Sequence, residues 1–154
     1  MKKSLLLLSL CLIHFQFLSA QVYQQWDYSH SGPLNHSDNG QDIITDNDNN
    51  VIAVGIEDDE DAFVGKWTNS GTLLWTATHN GSANSTDAFY AVAIDNENNI
   101  YAAGISHEAT SSWDIVTNKY NADGVLQWSK LKNGSSNIEE NATDIAVDPF
   151  GTMY

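Results

Sequence analysis

The first residues that could do chemistry lie in an oxygen-rich segment, 46–50, which reads Asp-Asn-Asp-Asn-Asn. Calcium prefers several closely spaced carboxylate and carbonyl oxygens, so Asp46 and Asp48 are candidate metal ligands. The segment lacks the Gly and the distant Glu of an EF-hand loop. The alternative is a hairpin turn, in which an Asp side chain accepts backbone N–H groups and a following Asn takes a positive φ. We favour the turn and keep calcium as the second hypothesis.

The densest acidic run could also collect a divalent cation. It consists of five consecutive carboxylates: Glu57, Asp58, Asp59, Glu60 and Asp61. Few further ligands accompany it, since the corresponding loop later in the chain adds only Glu108 and Asp114. A run of like charges usually forms a solvated loop, and this is the interpretation we favour.

Signatures of catalysis are missing from the sequence. It contains no His pair with metal-ligand spacing, no Gly-x-Ser-x-Gly and no Walker loop. Asp38, Asp87 and Glu140 each follow a Trp by twelve residues. Carboxylates that recur in this way are expected to organise loops rather than to form a catalytic pair. We therefore predict no catalytic residue and no cofactor.

An internal repeat positions all of these residues. Trp26, Trp75 and Trp128 are separated by 49 and 53 residues. A Gly follows each Trp by six residues and an Asp follows it by twenty; the set is Gly32, Gly81, Gly134, Asp46, Asp95 and Asp148. His30 and His79 also share a repeat position, which indicates a structural role. One loop accounts for the difference between the two periods, so the remaining spacing is constant.

Each repeat unit reads as four short strands, a to d, separated by turn residues. The predicted strands are 42–45, 51–56, 62–67 and 72–78 in the first unit (42–78), and 91–94, 100–105, 115–120 and 125–131 in the second (91–131). A lone strand d at 22–28 precedes them, and 144–154 begins a third unit. Four strands in about 50 residues are typical of a β-propeller blade. We predict an all-β fold, a propeller of four-stranded antiparallel blades, with two complete blades plus partial ones in 21–154.

Two segments resemble the SBBP repeats of secreted bacterial propellers. Segment 114–128 reads Asp-Ile-Val-Thr-Asn-Lys-Tyr-Asn-Ala-Asp-Gly-Val-Leu-Gln-Trp, and segment 91–104 reads Ala-Val-Ala-Ile-Asp-Asn-Glu-Asn-Asn-Ile-Tyr-Ala-Ala-Gly. The family usually has Asp-x-x-Gly-Asn-x-Tyr-Val-x-Gly in the latter; Asn49 and Asn98 replace its first Gly, which Gly151 retains. The resemblance implies a segment of a larger propeller and carries no activity of its own.

The spacing Gly71-x-x-x-Trp75, repeated at Gly124 and Trp128, also resembles that of quinoprotein-type propellers, where the motif packs blades. Some of those propellers hold a redox cofactor in the central funnel. A second hypothesis is therefore part of a propeller enzyme, quinoprotein-like or glycan-active, with its active site outside this chain. The Trp residues could also form a sugar-stacking platform, but their fixed place in strand d favours packing between blades.

The first 20 residues have the order of a secretory signal peptide. Two lysines are followed by an apolar stretch at 5–18 and then by Ser19-Ala20. The stretch is shorter than the roughly 20 residues that span a bilayer. We predict cleavage before Gln21, a secreted or cell-surface protein, and no membrane span after cleavage. Removal of the leader would also remove Cys11, the only cysteine.

Charge narrows the choice of partners. The chain has six basic and 20 acidic residues, which gives a net charge of −14. Such a protein repels phosphate backbones and anionic lipid surfaces, so we predict no nucleic-acid partner.

If the units are blades, their longer loops emerge on one face. In antiparallel units the b–c and d–a connections lie at one end, and the tight a–b and c–d turns lie at the other. The longer loops are 57–61, 106–113, 30–41, 79–90 and 132–143. The candidate ligand residues on this face are His79, Asp87, His107, Glu108 and Trp113. Because loops on a rigid scaffold carry binding residues, we predict a binding or scaffolding module for an extracellular protein or glycan, with a cationic or polyhydroxylated ligand.

Overall fold

The computed structural model describes residues 24–135 and 138–154. Within these ranges the protein is all-β and contains no helix. The strands are β1 (Asn39–Thr45), β2 (Val51–Glu57), β3 (Asp61–Trp67), β4 (Leu73–His79), β5 (Ala88–Ile94), β6 (Ile100–His107), β7 (Trp113–Tyr120) and β8 (Leu126–Lys132). The predicted signal peptide, 1–20, lies outside the described residues.

The strands form two four-stranded antiparallel sheets. The first sheet has the order β1-β2-β3-β4, and the second sheet has the order β5-β6-β7-β8. Each is a meander in which every strand pairs with the next one along the chain. The predictions of an all-β fold and of a four-stranded repeat unit are confirmed.

Two strands begin three residues before their predicted starts at 42 and 91. The reason is a register shift near the start of each strand, between Gly40 and Asp42 in β1 and between Phe89 and Ala91 in β5. A bulge breaks the two-residue alternation on which the prediction rested, while backbone pairing continues beyond it. The prediction therefore stopped at the bulge in both units.

The hydrophobic core lies between the two sheets, which pack face to face. Residues of β7 alternate between half-buried and buried along the whole strand, as expected for a strand with one face in the core. The core residues are Ile52, Val54, Ala62 and Val64 on the first sheet and Phe89, Val92, Ile100, Ala102, Val116 and Tyr120 on the second. Complete burial of a large apolar side chain is worth about 1.5–3 kcal/mol. This layer is therefore the main source of the fold's stability.

The a–b turn has the same construction in all three units. Asp46, Asp95 and Asp148 each accept two backbone N–H groups on Oδ1, from the residues two and four positions later. The fourth residue of the turn is Asn in the first two units and Gly in the third, and its φ is 62°, 62° and 82°. Asn and Gly tolerate this left-handed conformation. The hairpin interpretation thus describes the backbone of 46–50.

Trp75 in β4 ties the two sheets together. Its indole Nε1 donates to Ala122 O at 3.2 Å. The ring lies against Gly124, where an added Cβ would be 2.5 Å from Trp75 Cδ2 and where φ is +83°. A Gly is required there by both the close contact and the positive φ. Packing between units is therefore what this Trp does.

The strand predicted at 22–28 is absent over 24–28, where the structure assigns no strand. A strand exists only with a hydrogen-bonded neighbour, and this segment attaches through side chains instead. Trp26 donates Nε1 to Asn69 O at 3.0 Å, and its ring lies against Gly71 as Trp75 lies against Gly124.

The third unit contributes one short hairpin, residues 146–154, which we call the third-unit hairpin. Two backbone hydrogen bonds join Ala146 and Tyr154, and Val147 and Met153 form an isolated antiparallel bridge. The hairpin lies against the second sheet, because an added Cβ at Gly151 would be 2.9 Å from the Tyr101 hydroxyl.

Candidate functional site

Loops from both sheets contact one another at one end of the molecule. Asp87 N donates to Glu60 O at 2.7 Å, and Glu140 N donates to Trp113 O at 2.8 Å. We call the surface formed by residues 30–38, 57–61, 79–87, 107–113 and 138–143 the loop face. Several of the residues predicted to lie in loops end strands instead, since β6 runs to His107 and β7 begins at Trp113.

Asp87 is a buried organiser of the loop face. Its Oδ2 accepts the Gly81 N–H and its Oδ1 accepts the His107 N–H, each at 2.7 Å. The residue is 0% exposed. Asp38 likewise accepts two backbone N–H groups one unit earlier. Asp87 therefore holds two loops together and offers no surface to a ligand.

His79 and Glu108 belong to one hydrogen-bonded chain of side chains. His79 Nε2 lies 2.9 Å from Ser106 Oγ, which donates to Glu108 Oε1 at 2.9 Å. Ser82 Oγ donates to the other oxygen, Glu108 Oε2, at 2.5 Å. Burial opposes ionisation of Glu108, but the serine hydrogen bonds outweigh it and hold its pKa below the usual value. The oxygens of Glu108 are thus engaged within the loop face.

The acidic run is partly built into the fold. Asp58 is 4% exposed with φ 55°, and its carboxylate accepts the N–H groups of Leu34 and His36 at 2.9 Å. Glu57 Oε1 lies 2.5 Å from His30 Nε2. The prediction of a solvated loop is therefore wrong for Asp58 and Glu57, because residues 30–38 fold over them and supply donors.

Asp61, the last residue of the run, lies among like charges. Its Oδ1 is buried and has no hydrogen-bond partner within the described ranges. Burial raises the pKa of Asp61, and the neighbouring carboxylates of Asp87 and Glu60 raise it further. Asp59 and Glu60 are exposed. In the part of the chain that the structure describes, no group of three or more His, Cys, Asp or Glu side chains is arranged to hold a metal ion.

Both oxygens of Asp46 are engaged by the protein. Oδ1 accepts the N–H groups of Asp48 and Asn50, and Oδ2 accepts the Asn50 side-chain amide and lies 2.9 Å from Lys66 Nζ. Burial opposes ionisation of Asp46, but the bonds from Asn50 and Lys66 outweigh it and lower its pKa. The Lys66 ammonium thus neutralises the charge that a calcium ion would require. The calcium hypothesis stays a prediction.

A cleft opens on the loop face beside the second sheet. Its volume is about 340 Å³, and it is lined by Tyr90, Ile105, Trp113, Glu139, Glu140 and Asn141. A more open depression, lined by Ser112, Ile138 and Glu139, adjoins it. Among the five predicted ligand residues, Trp113 lines the cleft, whereas His79, Asp87 and Glu108 are engaged elsewhere.

Trp113 presents an aromatic surface that is held in place by its neighbours. Its Nε1 donates to Thr86 O at 3.1 Å. The indole stacks on His107 with ring centroids 4.6 Å apart and an interplanar angle of 20°. Since the indole N–H is already used, Trp113 offers a ligand apolar contact and stacking. His107 thus supports Trp113.

Glu140 lines the cleft, but one of its carboxylate oxygens is buried. Its Oε2 is buried and has no hydrogen-bond partner among the residues described. An unsatisfied buried acceptor costs about 1–3 kcal/mol. Because this oxygen is inaccessible, a ligand in the cleft would reach it only if the Glu140 side chain moved.

The sequence identified Trp113 but missed its companions. Tyr90 lies at the bulge of β5, where alternation fails, and Glu140 was interpreted only as a loop acceptor. Tyr90 and Glu140 are 50 residues apart in the chain, and no sequence motif links them.

Comparison with known proteins assigns no relatives. The sequence matches no model of a known protein family, and no curated protein is significantly similar to it. Within residues 24–135 and 138–154, no helix is long and apolar enough to cross a membrane.

Proposed function

We propose that the two sheets are neighbouring blades of an exported β-propeller of the SBBP-repeat type. Three features support this. Both sheets have the same strand order, both have register shifts at repeat-equivalent places in the a–b and c–d pairings, and they stack face to face. Units that stack in this way around an axis form a propeller.

The proposed function of this segment is extracellular binding of a polyhydroxylated ligand, a glycan, in the cleft on the loop face. The observation that carries the proposal is that the aromatic residues Tyr90 and Trp113 line the same cleft as the polar residues Glu139, Glu140 and Asn141. Concave sites with aromatic walls and a few converging polar groups are the usual form of a ligand site.

The chemistry of the lining favours a neutral sugar over other ligands. A sugar ring has an apolar face that packs on an indole and hydroxyl groups that donate to carboxylate and amide oxygens. Tyr90 and Trp113 supply the aromatic surface, and Glu139, Glu140 and Asn141 supply the acceptors. Two carboxylates in a chain of net charge −14 disfavour an anionic ligand.

The test uses the secreted protein purified after export of the 154-residue chain. Neutral glucose, xylose and mannose oligosaccharides are titrated by calorimetry, with spermine as the cationic probe. At least one oligosaccharide should bind. Trp113→Ala and Glu140→Gln should each weaken that binding by about tenfold or more, since each removes about 1.4 kcal/mol or more of contact.

Trp128→Ala is the matched control, because Trp128 lies on β8 and does not line the cleft. It should bind as the unaltered protein does. Equal loss in Trp128→Ala, or binding of spermine alone, would contradict the glycan proposal. The turns 47–49 and 121–123 lie on the face opposite the loop face. If only substitutions in these turns abolished binding, the site would not be on the loop face.

A further inference from the structure

Residues 24–135 and 138–154 cover only about half of the outer side of the first sheet, the side that faces away from the second sheet. Tyr28 packs on Trp67 with ring centroids 5.3 Å apart, and His30 packs on Phe63 at 4.4 Å. These contacts cover β3. Towards β1 the residues that the structure describes leave an apolar groove of about 180 Å³, lined by Trp26, Tyr28, Ile43, Val51, Ala53 and Trp67. Ile43 is 66% exposed.

The groove residues are repeat equivalents of core residues. Ile43, Val51, Ala53 and Trp67 correspond to Val92, Ile100, Ala102 and Tyr120 of the second sheet. All four of the latter are at most 6% exposed, because the first sheet covers them. The groove is therefore suited to side chains like those of the first sheet that pack on the second sheet.

The covering face of the first sheet includes Ile44 and Ile52, which pack in the core against the second sheet. Their equivalents in the second sheet, Ala93 and Tyr101, are 8% and 1% exposed. Gly151 of the third-unit hairpin lies against Tyr101. In the first and second units, these repeat positions therefore pack against the next unit along the chain.

The third-unit hairpin has residues at the same repeat positions, and no described residue packs against them. Ala146 and Tyr154 are the repeat equivalents of Ile44 and Ile52. Ala146 is exposed, and Tyr154 is 77% exposed. Asp144 corresponds to Asp42, whose Oδ2 accepts the Val92 N–H across the existing contact between sheets at 2.9 Å.

We propose that the groove on the first sheet is the docking site for the third-unit hairpin of a second copy of this chain. The contact continues the interface between the first and second sheets, with Ala146 and Tyr154 of one copy against Ile43, Val51 and Ala53 of the next. It joins two different surfaces, so it is head-to-tail and builds rings or open chains rather than a two-fold dimer.

The first experiment measures self-association of the secreted protein by sedimentation velocity over a range of concentrations. The unaltered protein should form species larger than a dimer as concentration rises. Ile43→Asp and Tyr154→Asp should each weaken association by about tenfold or more, because each buries a charge in the contact. Both residues are largely exposed, and circular dichroism should show that both variants remain folded.

Leu131→Asp is the matched control, since Leu131 is 49% exposed on β8 and lies in neither surface. It should associate as the unaltered protein does. A monomeric unaltered protein, or equal weakening in Leu131→Asp, would overturn the proposal.

Mixing the two defective variants tests the head-to-tail geometry. Tyr154→Asp keeps an intact groove, and Ile43→Asp keeps an intact hairpin, so an equimolar mixture should form a mixed dimer that grows no further. A mixture that stays monomeric would overturn the proposal. Glycan binding is measured separately on the monomeric variants, because the cleft involves neither Ile43 nor Tyr154.

Discussion

Lys66 in the first sheet and Lys119 in the second occupy the same repeat position but have different surroundings. Lys66 Nζ lies 2.9 Å from Asp46 Oδ2 and donates to Ala122 O at 3.0 Å, and its side chain is 5% exposed. Lys119 Nζ lies 3.6 Å from Asp95 Oδ2, and its side chain is 21% exposed. The turn of the second sheet that contains Ala122 covers Lys66. Within the described residues no such turn covers Lys119.

The two Trp residues differ in the same way. Trp75 lies against Gly124 and donates to Ala122 O. The Trp128 ring centroid lies 6.1 Å from that of Tyr101 and 4.6 Å from Lys130 Nζ. No described turn packs over Trp128. The repeat therefore supplies identical residues, and the neighbouring unit determines how tightly they are held. We call the Lys66–Trp75 set the closed joint and the Lys119–Trp128 set the open joint.

The largest difference between the closed and open joints should appear when each Trp side chain is truncated in a separate variant. Trp75→Ala should lower the free energy of unfolding by about 3 kcal/mol, because it opens a cavity between the sheets. Trp128→Ala should cost less, about 1 kcal/mol, because Trp128 is half-buried and no described turn packs over it. Urea denaturation measures both. Equal losses would show that the two joints are energetically alike.

Removing the two lysine charges should give a smaller difference. Lys66→Met leaves the Asp46 carboxylate and Ala122 O without their ammonium, and should cost about 2 kcal/mol because the pair is buried. Lys119→Met should cost less than about 1 kcal/mol because water reaches its ion pair. Thermal unfolding at neutral pH compares the variants. A loss at Lys119 as large as that at Lys66 would contradict the distinction between closed and open joints.

Acid should act on both joints in the same direction. Burial opposes ionisation of Asp46 and Asp95, but hydrogen bonds from Asn50 and Asn99, among others, outweigh it and lower both pKa values. At these two carboxylates the folded protein thus holds fewer protons than the unfolded chain. The stability from these carboxylates is present above the unfolded pKa, near 4, and is lost as pH falls through the lower folded pKa.

Asp61 should respond in the opposite sense, and with the smallest effect. Because burial and like charges raise its pKa, its contribution to stability is present below the unfolded value and is lost as pH rises through the folded value. Asp61→Asn should stabilise the protein at neutral pH by less than about 1 kcal/mol, since solvent screens part of the repulsion. The gain should vanish below about pH 4.

Asp59→Asn is the control, because Asp59 lies in the same acidic run but is exposed. Its stability should follow that of the unaltered protein across the pH range. A pH-independent gain in Asp61→Asn would mean that charge is not the cause.

Local sequence determined the turns and strands of each unit, because their physics is local. An Asp followed by an Asn or Gly three positions later makes the a–b turn from its own side chain and backbone, as at Asp46 and Asp95. The strands between turns follow from apolar alternation. The bulges were missed because they break that alternation while preserving backbone pairing.

The burial and hydrogen bonding of the carboxylates depended on contacts with residues distant in sequence. In the acidic run, Asp58 is buried by loop 30–38 while Asp59 is exposed, although nothing in the run distinguishes the two. Asp87 was correctly expected to organise a loop, but its partner His107 lies in another strand. Burial and hydrogen-bond satisfaction are properties of the surroundings, so residue type alone does not reveal them.

By itself, then, the sequence determined the four-stranded unit, its repetition and the acidic, arginine-free character of the chain, since spacing and composition carry these directly. Tertiary structure alone decided which joint is closed, which carboxylates are engaged, and that Trp113, Tyr90 and Glu140 share one cleft. The physical reason is that side-chain environment arises where segments far apart in the chain meet. Equivalent residues acquire different energies when the described residues place a turn over one of them and not over the other.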